Sequence, residues 1–251
     1  HIASLQSSKS IIILSPQSDD PDAITIKTIL AITNNPERRP EPYHIVAEIR
    51  DPKNYEIARI VGKDEVELVL TGDLISRIIA QTCRQSGLSV VYTELLDFGG
   101  DEIYFKEEPA LVGKTIGDAL LAYSTSSVMG LKSAEGARMH PPMDTVIQPG
   151  DQIIAISEDD DTIRLSGLSP IPLQENLIHA GGPRHSTPEN MLILGWNWRA
   201  TTIINELDNY VAEGSSTTVV ADFADGQSQI ERLCVQVTKQ SLRYQVGDTT
   251  D

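Results

Sequence analysis

Short unbroken apolar runs alternate with polar stretches of helical spacing through residues 11–70. Such runs predict buried strands of a parallel sheet, and the stretches between them predict the crossover helices that parallel strands require. Ile11–Leu14, Ile45–Ile49 and Val66–Leu70 are the expected strands. An Asp-rich turn at Asp19, Asp20 and Asp22 leads into the first helix, with Ile26, Ile29 and Leu30 on the expected buried face and Asp19 or Asp20 as its cap. A Pro-rich loop from Pro36 to Pro42 ends that helix, and a second is expected from about Asn54 to Val61.

After the third strand the alternation stops. Thr71 is expected to cap a longer helix carrying Leu74, Ile75, Ile78 and Ile79, with Cys83 as a core thiol on its apolar side. Gly87 then separates it from a second helix with Leu88, Val91, Leu95 and Leu96. Three parallel strands are half of a doubly wound sheet. From Asp101 to Ile156 the pattern predicts a small α+β unit: a strand at Ile103–Phe105, a short helix near Thr115–Leu121, and strands at Val128–Ser133 and Ile153–Ile156. Pro149-Gly150-Asp151 predicts a type II turn before the last strand. Residues 166–188, rich in Pro and Gly, read as a linker. Beyond it, Met191–Leu194, a helix with Ile203, Ile204 and Leu207, a strand at Thr217–Ala221 and a helix near Gln227–Leu233 restart the parallel rhythm. The predicted division is 1–98, 99–165, a linker at 166–188, and 189–251.

The 251 residues suffice for one large domain or two smaller ones. With 40% hydrophobic and 22% charged residues the balance is globular. A formal charge of -16 repels nucleic acid, and no basic run relieves it. No apolar run approaches the ~20 residues that span a bilayer. The start lacks Met and a leader pattern, which reads as a cut inside a longer protein. Cys83 and Cys234 stand far apart, as in a reducing, intracellular setting.

Two motifs carry candidate chemistry. Gly195-Trp196-Asn197-Trp198-Arg199-Ala200 matches the dinucleotide fingerprint at two of three positions, and Asp222 ends the next strand where an acidic residue would hold a ribose. Gly195, Asn197 and Asp222 are therefore candidates for a crevice ligand; a nucleotide is disfavoured because Asn197 replaces the Gly that lets backbone approach a pyrophosphate. The second motif is Glu158-Asp159-Asp160-Asp161, whose mutual repulsion a Ca2+ ion would relieve. A solvated loop explains the same run, since no D-x-D-x-D-G calcium loop is present. None of the five histidines, and no nucleophile elbow or phosphate loop, points to a catalytic residue.

The order of half Rossmann unit, paired helices, small α+β unit, linker and second half Rossmann unit resembles a tandem of RCK (regulator of K+ conductance) domains. The match narrows at Gly72-Asp73-Leu74-Ile75-Ser76-Arg77, Cys83–Leu88, Gly150-Asp151, Glu158–Thr162 and Ile193-Leu194-Gly195-Trp196. There the chain resembles the cytosolic region of the Castor/Pollux ion-channel family. That resemblance implies an α/β fold with the C-terminal half of one RCK Rossmann-like lobe and its crossover helices, an α+β RCK C-lobe, and the N-terminal half of a second lobe. It further implies a non-enzymatic gating ring on the cytosolic face of a membrane, built from homotetramer subunits, joined to a transmembrane pore and regulated by Ca2+. The Pro36–Pro42 loop and Trp198-Arg199 depart from the plant pattern, so nuclear location is not carried over. A Rossmann-type oxidoreductase fragment and an RCK-like transporter subunit remain the alternatives.

Overall fold

A computed structural model describes residues 4–167, 174–177, 179, 181–182 and 186–250. They form two compact units, 1–85 with 184–251 and 86–183. Part of the expected linker, 168–173, 178, 180 and 183–185, lies outside the described residues.

The chain opens the first unit with β1 (Ile11–Ile13), α1 (Pro21–Thr33), β2 (Ile45–Ile49), α2 (Pro52–Gly62), β3 (Val66–Leu70) and α3 (Thr71–Arg84). The strands are parallel in the order β1-β2-β3, with Ile13 beside Ala47 and Ala47 beside Leu68. A continuous apolar run suits a strand covered on both faces. Here α1 and α2 both pack on the face carrying Ile13, Ile45, Ala47 and Leu68, while Ile12 and Leu14 stay 72% and 75% exposed. Asp20 caps α1 by accepting from the Ala23 N–H (3.2 Å).

The buried face of α1 differs from the expected one. Leu30 is exposed and Ile26 half-buried, whereas Asp22, Thr25, Ile29 and Ile32 are inside. The reason is Asp22, whose buried carboxylate reaches the start of α2. It accepts from the backbone N–H groups of Arg50 and Asp51 and from Asn54 Nδ2, each at 2.9 Å. Desolvation raises its pKa, but the Asn54 and backbone bonds and the Arg50 charge outweigh this and hold it below the usual carboxylate value. Thr71 likewise departs from expectation: it opens α3 without capping it, and its hydroxyl donates to Glu48 Oε1 (3.1 Å).

The second unit contains α4 (Leu88–Leu96), β4 (Glu102–Glu107), α5 (Ile116–Leu120), β5 (Ser127–Ser133), β6 (Gly136–Met139) and β7 (Gln152–Ser157). The four strands form an antiparallel sheet in the order β4-β7-β5-β6. Its core gathers Leu111, Ile116, Val128, Leu131 and Ile153. Thr115 and Asp118 form a capping box that starts α5. Gly150 has φ +87° and the Asp151 N–H donates to the Gln148 carbonyl, as the expected type II turn requires. The sequence pattern missed β6, all four residues of which are exposed. Gly130 is what admits it, because a Cβ there would lie 2.6 Å from the Arg138 carbonyl oxygen. Helix α4, expected with the first lobe, packs on β4 and belongs to the second compact unit.

The first unit resumes with β8 (Asn190–Leu194), α6 (Ala200–Tyr210), β9 (Ser215–Ala221), α7 (Gly226–Leu233) and β10 (Gln240–Val246), the strands parallel in the order β10-β9-β8. Ile204, Val219, Ile230 and Cys234 make its core, and burial pushes the Cys234 thiol up to about 11. Asp208 repeats the role of Asp22, accepting from the N–H groups of Thr238, Lys239 and Gln240.

Helix α3 packs on α6, and a row of small residues makes the close approach possible. Gly72, Ser76 and Ala80, spaced four apart, are its buried residues, not the expected Leu74, Ile75, Ile78 and Ile79. Trp198 lies over Gly72 so closely that a Cβ there would be 2.4 Å from its ring. Arg77 bridges Asp73 (2.6 Å) and Glu206 (3.3 Å), and Arg84 pairs with Glu189 (2.8 Å). Cys83, expected in the core, is exposed.

Candidate functional site

The turn from β8 to α6 places Gly195 and Asp222 at one end of one sheet. Gly195 takes φ +89° and its N–H donates to the Val220 carbonyl (2.8 Å), so the chain leaves β8 in a conformation that disfavours a Cβ. Asn197 builds the start of α6: its Oδ1 accepts from the Arg199 N–H (2.8 Å) and its carbonyl from the Ala200 N–H (3.0 Å). Its side chain thus serves the turn. Asp222 is exposed just past β9.

Between these residues stands Trp196. Its ring stacks on Phe223 with centroids 6.1 Å apart and meets Tyr244 edge-on at 5.6 Å, while Nε1 donates to Gln229 Oε1 (3.2 Å). The Tyr244 hydroxyl donates to the Phe223 carbonyl (2.6 Å), and Gly226 leaves the space its ring needs. Burial raises the Tyr244 pKa, with the Asp222 charge adding to it. An aromatic cluster therefore packs at the ends of these strands, beside Gly195 and Asp222. Its members Phe223, Gln229 and Tyr244 carry no shared motif, so the sequence offered only the Trp itself.

The acidic run follows β7. Glu158, Asp159, Asp160 and Asp161 are all exposed, and among the described residues no group of three or more His, Cys, Asp or Glu side chains is placed to hold a metal ion. Asp159 caps the short turn Asp160–Thr162, and Asp161 pairs loosely with Arg164 (3.7 Å). Thr162, the last residue of the motif and no candidate ligand, is the hub: its hydroxyl bonds Ser157 Oγ (2.7 Å), accepts from the Asp159 N–H (3.1 Å) and donates to the Asp159 carbonyl (2.7 Å). Ser157 is buried and also bonds Ser126 Oγ. Chemical denaturation is expected to show Thr162→Val costing about 1–2 kcal/mol and Asp160→Asn less than about 0.5, because only the first strips a partner from a buried hydroxyl. Equal losses for both would contradict this assignment.

Residues 72–171 match the family described as Castor and Pollux, part of voltage-gated ion channel. The likeness to Castor and Pollux channels extends beyond that stretch in sequence. Over 228 residues it is 31% identical to the probable ion channel CASTOR of Oryza sativa subsp. japonica, covering 87% of this chain and 25% of that protein. Over 236 residues it is 30% identical to the ion channel CASTOR of Lotus japonicus, covering 90% and 27%. The chain spans about a quarter of the length of these curated relatives. Its fold is similar to the human SLO3 gating ring, with a TM-score of 0.65 at 14% identity over 97% of this chain and 53% of that one. The mixed α/β fold of this chain, with parallel and antiparallel sheets, is thereby of the kind seen in that gating ring.

Helices α3 and α4 leave apolar faces open. No residue of α4 is buried, and Val90, Val91 and Leu96 are exposed, as is Phe98 just beyond it. On α3 the side away from α6 exposes Leu74, Ile75 and Ile79. No described helix is long and apolar enough to cross a membrane.

Proposed function

We propose that this chain is a cytosolic gating-ring segment of a homotetrameric cation channel, coupling ligand binding to the transmembrane pore of its parent protein. The observation that carries the reading is α4: Leu96 and Phe98 are 80% and 92% exposed, and the helix buries no residue of its own. Covering one such side chain is worth ~1.5–3 kcal/mol, so a handful of them drives pairing with a second copy. The family of the relatives and the RCK fold support a regulatory role for the pairing. Ca2+ is the proposed activating ion, with Glu158, Asp159, Asp160 and Asp161 as its candidate ligands. It takes roughly six to eight oxygens, so water or another subunit would complete the shell. A ligand moves the ring only by binding its two states unequally.

Sedimentation of the intact protein is the test, joined to current recordings from membranes that contain it. Wild type is expected to assemble and to pass a cation current; Val90→Asp with Leu96→Asp is expected to weaken assembly at least a hundredfold and to abolish ligand-dependent opening. A wild-type monomer at all accessible concentrations, or turnover of a metabolite with no current, overturns the reading.

A further inference from the structure

We propose that a cleft in the first unit, distinct from the Trp196 cluster and from the acidic run, binds a small phosphorylated anion. The cleft has a volume of about 740 Å3, within the usual range for small-molecule sites, and opens where β2 ends, beside the starts of α3 and α6. In a chain of net charge -16 its lining is locally cationic, because Arg50, Lys53 and Arg199 converge there. Two carboxylates share the lining, and both are already engaged. Glu48 accepts from the Ser15 N–H (3.0 Å) and the Thr71 hydroxyl (3.1 Å) and lies 3.9 Å from Arg50 Nε; Asp51 accepts from the Lys53 N–H (2.9 Å).

Lys53 and Arg199, by contrast, have no carboxylate partner among the described residues. The Arg199 guanidinium lies 4.4 Å from the centre of the Trp198 ring, and its Nε is buried without a hydrogen-bond partner. A guanidinium packed over an aromatic ring, with a donor unspent, suits an anion of fixed geometry such as phosphate. A further feature favours the same ligand. Thr201 and Thr202 from the first turn of α6 line the cleft, as does the first residue of α3, so the positive ends of two helices lie beside it. No run of the sequence is basic; the site is assembled from residues 50–53 and 199–202, which only the α3–α6 packing brings together.

The inference is independent of the gating reading, because binding is measured whether or not a pore opens. Calorimetric titration of the intact protein with pyrophosphate, ATP and inositol hexakisphosphate is the experiment. Binding of at least one of these, weakened tenfold or more by Arg199→Gln and by Lys53→Gln, is expected. Lys53 is exposed, so its substitution leaves folding intact even if Arg199→Gln does not. ATP binding more tightly than pyrophosphate would identify a nucleotide, and inositol hexakisphosphate binding most tightly an inositol phosphate. A ligand-induced change in tryptophan emission is expected to vanish in Trp198→Phe. Silence from all three probes at millimolar concentration, or affinities that Lys53→Gln leaves unaltered, overturns the proposal.

Discussion

Replacing Asp22 by Ala is expected to cost about 3–5 kcal/mol of stability, a loss seldom reached by a single polar substitution. The carboxylate is 2% exposed and takes three hydrogen bonds, two of them from backbone N–H groups that open the next helix. Without it those donors stay desolvated and unpaired, and the link between α1 and the β2–α2 turn is gone. Asp22→Asn keeps the shape but turns one acceptor oxygen into a donor facing another donor, so about 2–4 kcal/mol is expected there too. The folded pKa lies below the ordinary value of 3.8, so the carboxylate's contribution is complete well above that pH. It is lost as pH falls below 3.8 toward the folded value, where the unfolded chain takes up the proton first. Urea melts of wild type and both variants at neutral pH and near pH 3 read this out: the gap between them should narrow on acidification. A neutral-pH cost under about 1 kcal/mol for Asp22→Ala would refute the assigned role.

The second large effect is expected at Trp196. Trp196→Ala empties the centre of the cluster formed with Phe223 and Tyr244 and leaves Gln229 without its donor, at a cost of about 2–4 kcal/mol. Trp196→Phe keeps an aromatic face against Phe223 and loses the Nε1 bond, so about 1 kcal/mol is expected. Thermal unfolding followed by near-ultraviolet circular dichroism measures both. If Ala and Phe prove equally mild, the ring is an ornament on the surface and the strand ends are open to a ligand. The contrast between the variants tests whether the fingerprint-like turn is kept for packing.

What was legible beforehand is clearest in β2 and β9, where local pattern and tertiary role agree. Ile45–Ile49 and the Thr217–Ala221 stretch are read as strands and lie at the centres of their sheets. The turn at Pro149-Gly150 was also readable, since a type II turn demands positive φ at its third residue and glycine supplies it. Helix faces fared worse. Hydrophobicity pointed to Leu74, Ile75, Ile78 and Ile79 as the packed side of α3, yet Gly72, Ser76 and Ala80 are the residues inside, because a close helix–helix contact selects for small side chains that a hydrophobicity pattern ignores. In α1 a buried Asp, bonded to the start of α2, sets the packed face.

The candidate sites divide in the same way. Gly195 and Asp222 lie at strand ends, which periodicity reveals, and the Asn197 turn is a local contact; the packing of Trp196 depends on Phe223, Gln229 and Tyr244, whose meeting no local pattern encodes.

By itself the amino-acid order determined the succession of elements, the half-lobe grammar and the family resemblance, because each is written in near-neighbour spacing of apolar, Gly and Pro residues. Tertiary structure alone decided which helix faces are buried, that Thr162 and not its acidic neighbours organises the turn after β7, and that Arg50, Lys53 and Arg199 share a cleft. Those outcomes depend on side chains that are distant along the chain, and packing between elements sets their distances.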